Sequence, residues 1–350
     1  MENEKKIRVL VVDDSIMARK ILIEGLSRDP RLEVVGYAIN SMDAARKIPA
    51  LRPDVLTLDV EMPGQNGLDF LKELIPRNPL PVVLCSSLNL RVFDALSAGA
   101  VDFVRKPDMS RPESLDLFQR ELALKVRAAS RARVRMPGVS QAVHRAHPSP
   151  ILPPLTSPSL DQVIIALGAS TGGTEATLEV LRHLPANTPG MVIVQHMPVG
   201  FTDMYAQRLN RICKMEVREA KNGDRIERGV ALIAPGDMQM KVVRTGMHYT
   251  VSCLNSPKVS GHRPSVDVLF DSMAQAVKCH QIGIILTGMG RDGANGMLKM
   301  RQAGAFTIGQ DEATSVVYGM PMEAFKLGAV CKQAPIENIA DVLLRHLNTL

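Results

Sequence analysis

Five short apolar runs punctuate the first third of the chain: Arg8 to Val12, Leu32 to Ala38, Val55 to Leu58, Pro81 to Cys85 and Ala100 to Val104. Between them, apolar residues return at helical spacing among polar ones. Runs of this length flanked by amphipathic stretches predict β-strands alternating with helices, and that alternation predicts a doubly wound parallel sheet of flavodoxin type. From Asp161 onward the alternation resumes, with strands expected near Val163, Met191 to Gln195, Ile282 to Leu286 and Ala305 to Ile308, a second, Rossmann-like α/β sheet. Residues 216 to 253 break the rhythm. Short β-like runs there are separated by Asn222-Gly223, Pro235-Gly236 and Thr245-Gly246, so a hairpin-rich insertion at the edge of the second sheet is expected.

Between the two patterns, a helix expected over about 113 to 133 runs into a stretch that cannot build a core. Residues 137 to 160 hold six prolines and several serines. The chain therefore reads as a first domain over 1–125, a basic and proline-rich linker over 126–160, and a second domain over 161–350. As a flexible coil the 24 residues from Pro137 would reach ~27 Å, and as extended polyproline ~74 Å, so the domains could touch or separate.

A length of 350 residues suits two domains, and 45% apolar with 22% charged residues is ordinary for a globular chain. The net charge of +6 raises the question of nucleic acid, but its location answers it. Lys125, Arg127, Arg131, Arg133, Arg135 and Arg145 lie in a segment without acids, and outside it 36 cations face 36 anions. With only 3% aromatic residues for base stacking, no nucleic-acid partner is expected. No apolar run is long enough to span or insert into a bilayer, no signal-peptide pattern opens the chain, and the five cysteines are scattered singly, so a cytoplasmic protein with reduced thiols is expected.

In a doubly wound sheet, functional groups collect at the carboxyl ends of the strands. Asp13 and Asp14 follow the first strand, Asp59 ends the third, Ser86 ends the fourth, and Lys106-Pro107 follows the fifth. Three carboxylates converging at one edge repel one another, and a divalent cation with oxygen ligands, most often magnesium, relieves that repulsion. Such a cation would also neutralise phosphate oxygens while a carboxylate attacks a phosphoryl donor. Capping of the first helix by Asp13 and Asp14 is the competing explanation. Val11-Val12-Asp13-Asp14-Ser15, Leu58-Asp59-Val60-Glu61-Met62-Pro63-Gly64 and Arg105-Lys106-Pro107 resemble a two-component response-regulator receiver over about residues 7 to 125. The resemblance implies that Asp59 accepts the phosphoryl group and that Asp13, Asp14, Asp59 and the backbone carbonyl of Glu61 hold Mg2+. It further implies that Ser86 and Lys106 contact the phosphoryl oxygens and that Phe103, here without the hydroxyl common at that place, is the aromatic that reorients.

Gly168-Ala169-Ser170-Thr171-Gly172-Gly173 follows the first strand of the second domain and opens a helix, so Ser170 sits on a tight turn where helix amides can face an oxyanion. A nucleophilic serine fits that geometry, as does a phosphate cradle. Gln195-His196-Met197-Pro198 and Thr287-Gly288-Met289-Gly290-Arg291-Asp292-Gly293 end neighbouring strands at the same edge, which makes His196 a candidate base and Asp292 its orienting acid. His262 rivals His196, and Asp267 and Asp271 rival Asp292, because Gly261-His262-Arg263-Pro264-Ser265-Val266-Asp267 also reads as a loop opening a helix. The order Ser170, His196, Asp292 differs from that of α/β-hydrolases, which place the acid before the histidine.

Over residues 161 to 345 these motifs are similar to the catalytic domain of chemotaxis protein-glutamate methylesterases. The resemblance implies hydrolysis of glutamyl methyl esters on the cytoplasmic domains of methyl-accepting chemoreceptors, with deamidation of receptor glutamines in some members, a chemotaxis histidine kinase as phosphodonor, and no cofactor in the catalytic domain. Backbone amides of Thr171 and Met289 are expected to hold the oxyanion, and the unphosphorylated receiver is expected to cover the catalytic edge. A response regulator of a non-chemotaxis pathway with the same esterase chemistry is the alternative. A transcriptional regulator would need a basic recognition helix that is not evident after Leu160, and a nucleotide-binding module would leave His196 and Asp292 without a task.

Overall fold

A computed structural model describes residues 5–62, 66–87, 90–110, 112–134, 155 and 157–350. The chain divides into two compact units, Met1–Arg145 and Ala146–Leu350.

In the first unit, strands β1 (Ile7–Val12), β2 (Leu32–Ala38), β3 (Val55–Asp59), β4 (Val82–Ser86) and β5 (Asp102–Arg105) alternate with helices α1 (Ile16–Ser27), α2 (Ser41–Leu51), α3 (Gly67–Arg77), α4 (Arg91–Ser97) and α5 (Pro112–Ala129). The strands pair in parallel in the order β2-β1-β3-β4-β5. β3 and β4 are buried along their whole length, as strands covered by helices on both faces must be. The order reverses between β1 and β3, which leaves a crevice beyond their carboxyl ends where Asp13 and Asp59 lie. Ser15, and neither aspartate, caps α1 by accepting a hydrogen bond from the Ala18 amide, so the capping explanation for Asp13 and Asp14 falls away.

Both borders of the segment read as linker carry ordered structure, and the helix expected over about 113 to 133 ends at Ala129. Residues 126 to 129 continue α5, with Val126, Ala128 and Ala129 buried in the first unit, because apolar positions at helical spacing outweigh the surrounding arginines. At the far border, Leu155 and Leu160 are buried, and the Leu155 carbonyl accepts hydrogen bonds from Asn187 Nδ2 and Arg228. The rest of the proline-rich stretch, residues 135–154 and 156, lies outside the described residues.

In the second unit, seven parallel strands run in the order β14-β13-β12-β6-β7-β9-β8. They are β6 (Val163–Ala169), β7 (Met191–Gln195), β8 (Glu216–Glu219), β9 (Val230–Ile233), β12 (His280–Ile285), β13 (Phe306–Gln310) and β14 (Lys332–Ala334). β10 (Gln239–Thr245) and β11 (His248–Leu254) form a separate antiparallel hairpin. Helices α6 (Gly173–Leu181), α7 (Phe201–Ile212), α8 (Val266–Ala276), α9 (Ala294–Gln302), α10 (Met320–Lys326) and α11 (Ile336–Leu347) cover the sheet. The expected hairpin insertion is thus half the size foreseen. β8 and β9 extend the main parallel sheet instead, and only β10 and β11 stand apart.

Strand order reverses between β6, the central strand, and β12 beside it. The segments leaving β6, β7 and β12 therefore meet at one carboxyl edge, and they carry Ser170, His196 and Asp292.

Candidate functional site

Ser170 follows β6 on a turn closed by the Gly173 amide, which donates to the Ser170 carbonyl at 2.7 Å. Gly172 adopts φ +76°, a left-handed conformation that glycine reaches without strain. Across the crevice Gly288 comes so close that a Cβ there would lie 2.7 Å from Ser170 Cβ. The Ser170 hydroxyl faces His196 Nδ1 at 3.1 Å, and His196 Nε2 faces Asp292 Oδ2 at 2.8 Å. A carboxylate acceptor at Nε2 fixes the tautomer that carries its proton there, which leaves the Nδ1 lone pair directed at the serine hydroxyl.

Asp292 is buried at the amino end of α8. Beyond His196, its carboxylate accepts from Ser265 Oγ at 2.7 Å, from the Val266 amide at 2.8 Å and from the Asp267 amide at 3.1 Å. Burial alone would push its pKa up; the bond to His196, the charge there, Ser265 and the helix amides outweigh it and hold the group down at about 2. The acid is ionised throughout the neutral range. Of the two residues whose amides are expected at an oxyanion, Thr171 is buried and directly follows Ser170, while Met289 is exposed and follows Gly288. Ser170's own amide is committed to the Thr287 carbonyl at 3.0 Å, so the first amide past the nucleophile is that of Thr171.

In the first unit, Asp13 and Asp59 are buried and Asp14 is exposed, with one carboxylate oxygen of each lying within 4.8 Å of the others. Lys106 Nζ sits 2.8 Å from Asp13 Oδ2 and 2.6 Å from Asp59 Oδ2. Burial raises the Asp59 pKa, and the nearby Asp13 adds to that, against the bonds from Lys106 and the Glu61 amide. Burial works against the Lys106 charge, but the hydrogen bonds and charges of Asp13 and Asp59 prevail and raise its pKa. The Ser86 hydroxyl is buried with no hydrogen-bond partner among the described residues. Hard carboxylate oxygens converging beside one unpartnered hydroxyl fit a divalent cation and an oxyanion together. Phe103 is buried edge-on to Phe93, with Lys125 Nζ 5.0 Å from its ring centroid.

Residues 165–343 match the family model described as CheB methylesterase, and residues 9–115 match the response regulator receiver domain. A protein-glutamate methylesterase/protein-glutamine glutaminase 2 of Syntrophomonas wolfei is 51% identical over 346 residues, covering 99% of both chains. A protein-glutamate methylesterase/protein-glutamine glutaminase of Syntrophotalea carbinolica is 50% identical and covers 98% of both. The crystal structure of the Thermotoga maritima CheB methylesterase catalytic domain superposes with a TM-score of 0.51 at 35% identity, covering 52% of this chain and 97% of that one. The chain belongs to the CheB methylesterase family. It joins two parallel-sheet α/β units, as expected from the strand patterns. No described helix is long and apolar enough to cross a membrane.

The rival residues have other partners. His262 stacks face to face on the His196 ring, with centroids 3.7 Å apart and planes 8° from parallel. Asp267 accepts from the Gly296 amide at 2.8 Å and from Ser260, and Asp271 pairs with Lys299 at 2.6 Å. Three residues that hold the site received no role in the sequence reading. Ser265 bonds Asp292, Gln195 Nε2 donates to the Ser170 carbonyl at 2.9 Å, and Thr287 Oγ1 lies 3.0 Å from the Thr171 carbonyl. For Gln195 a signal existed: a polar side chain closing an otherwise apolar, fully buried strand needs a partner.

Proposed function

We propose that this chain is a phosphorylation-regulated serine esterase that hydrolyses glutamate methyl esters on chemoreceptor cytoplasmic domains to glutamate and methanol. The observation that carries the reading is the continuous line from Ser170 Oγ through His196 to Asp292, with contacts of 3.1 and 2.8 Å. Ser170 Oγ bonds to the ester carbonyl carbon as its proton passes to His196 Nδ1. Asp292, held ionised, stabilises the imidazolium through Nε2–H. Amides of Thr171 and Met289 receive the oxyanion, and the departing methoxy oxygen takes the proton from Nδ1, releasing methanol. Water, deprotonated by the same nitrogen, then cleaves the acyl-enzyme and restores Ser170. Relatives named as glutaminases support a second substrate for the same steps, with a glutamine amide releasing ammonia in place of methanol.

Asp59 is the phosphoryl acceptor. Asp13, Asp14, Asp59 and the Glu61 carbonyl would hold Mg2+, which when bound neutralises charge on the phosphoryl oxygens. Lys106 binds one of those oxygens, the unpartnered Ser86 hydroxyl donates to another, and Phe103 is the aromatic that responds. A histidine kinase of the chemotaxis pathway is the phosphodonor; the names of the relatives give no support to a regulator of another pathway.

Methanol release from a methylated receptor fragment, measured with and without a small phosphodonor, tests the reading. The rate is expected to rise in the unaltered chain and to stay at its basal level in Asp59→Asn. An equal rise in both, or none in either, contradicts it.

A further inference from the structure

Thr287 stands wholly buried just past β12, and its side chain reaches two other segments of chain. Its Oγ1 accepts from the Val317 amide at 2.9 Å and lies 3.0 Å from the Thr171 carbonyl and 3.2 Å from the Val317 carbonyl. A hydroxyl has one proton to give. The Val317 carbonyl already receives the amides of Gly288 and Gly319, each at 3.0 Å, so the proton goes to the shorter contact, the carbonyl of Thr171.

The backbone of Thr287 ties the same region together. Its carbonyl takes the Ser170 amide at 3.0 Å, and its own amide donates to Gln310 Oε1 at 2.8 Å. Gly288, next along, gives its amide to Val317 and receives those of Gly319 and Met320. Val316, in the same segment as Val317, packs against Gly172 so closely that a Cβ there would lie 2.6 Å from Val316 Cβ. The nucleophile turn and the loop carrying Met289 are thus both anchored on the segment around Val317, and one hydroxyl joins all three.

We infer that the Thr287 hydroxyl is a positioning residue that sets the spacing between the Thr171 and Met289 amides, and with it the fit of the oxyanion. This rests on the esterase reading above. The hydroxyl touches no substrate and acts through the Thr171 carbonyl and the Val317 amide. Oxyanion donors work only within a narrow range of distance, and a misplacement of about 1 Å can cost on the order of 10²-fold in rate.

A role limited to stability would lower the amount of folded enzyme and leave kcat per folded molecule alone. Thr287→Val keeps the shape and deletes both bonds; on protein shown folded by circular dichroism, kcat is expected to fall about 10- to 100-fold with KM within about twofold. Thr287→Ser, which keeps the hydroxyl and loses the methyl, is expected to restore kcat to within about threefold. Should Thr287→Val not fold, Thr287→Cys, with its weak hydrogen-bonding thiol, takes its place against Thr287→Ser in the same assay. Undiminished kcat in the variant without the hydroxyl, or a serine variant no better than it, overturns the inference. Ser170→Ala run in parallel separates the two failures. Methanol release surviving in Ser170→Ala removes the nucleophile itself, whereas an inactive Ser170→Ala beside a fully active Thr287→Val removes only the positioning role.

Discussion

Both candidate sites lie at the carboxyl edge of a parallel sheet where strand order reverses, yet their polar groups are in opposite states. At the Asp292 carboxylate the demands are met from within: it has four donors and a pKa held at about 2. Around Asp59 like charges crowd together, burial raises the carboxyl pKa, and the Ser86 hydroxyl has no partner among the described residues. The first site is preorganised and needs only substrate; the second is completed by ligands. That contrast separates a catalytic centre from a switch, although both are built on the same kind of strand end.

The sharpest way to break the comparison is to remove the nucleophile. Ser170→Ala is expected to lower methanol release by about 10⁵- to 10⁶-fold while leaving phosphorylation of Asp59 intact. Asp292→Asn, which loses the carboxylate that orients His196, is expected to cost about 10³- to 10⁴-fold in kcat, again without affecting phosphorylation. At the other site the outcome reverses. Chelation of divalent cations should abolish the phosphodonor-dependent gain and leave the basal esterase rate, measured by the same methanol assay, unchanged.

The two carboxylates also differ in sign toward pH. Asp292 has a folded pKa of about 2, below the ordinary aspartate value of about 3.9, so its contribution to stability is present above about pH 4 and is lost as pH falls toward 2. Acid unfolding of Asp292→Asn, followed by circular dichroism, should lack that limb. Asp59 has a raised folded pKa, so its ionisation opposes folding as pH climbs past the unfolded value. Asp59→Asn should therefore lack that loss of stability between acid and neutral pH, read from unfolding midpoints at the two pH values, and an unchanged pH dependence would contradict this.

Strand ends were the legible part of both sites, because buried parallel strands are continuous apolar runs and the residues just past them stand out. β6 and β7 are of this kind, and Ser170 and His196 follow them directly. β8, with only Val217 fully buried among Glu216, Arg218 and Glu219, and β14, three residues with an exposed lysine, lack that signature since edge strands are covered on fewer sides. This is why the region from 216 read as hairpins. Which nitrogen of His196 faces Ser170 was also hidden, as were the tasks of Ser265 and Thr287, because these depend on where loops distant in sequence meet. How His196, His262, Asp267, Asp271 and Asp292 are arranged needed the same information: His196 lies between Ser170 and Asp292, and His262 stacks on its ring.

The most direct test of the central claim is covalent labelling of the full chain with a serine-directed phosphonate, located by mass spectrometry and timed with and without a phosphodonor. The account predicts a single adduct on Ser170, faster labelling once Asp59 is phosphorylated, and little labelling in His196→Gln. An adduct on another residue, or a Ser170 labelling rate unaffected by loss of His196, would contradict it.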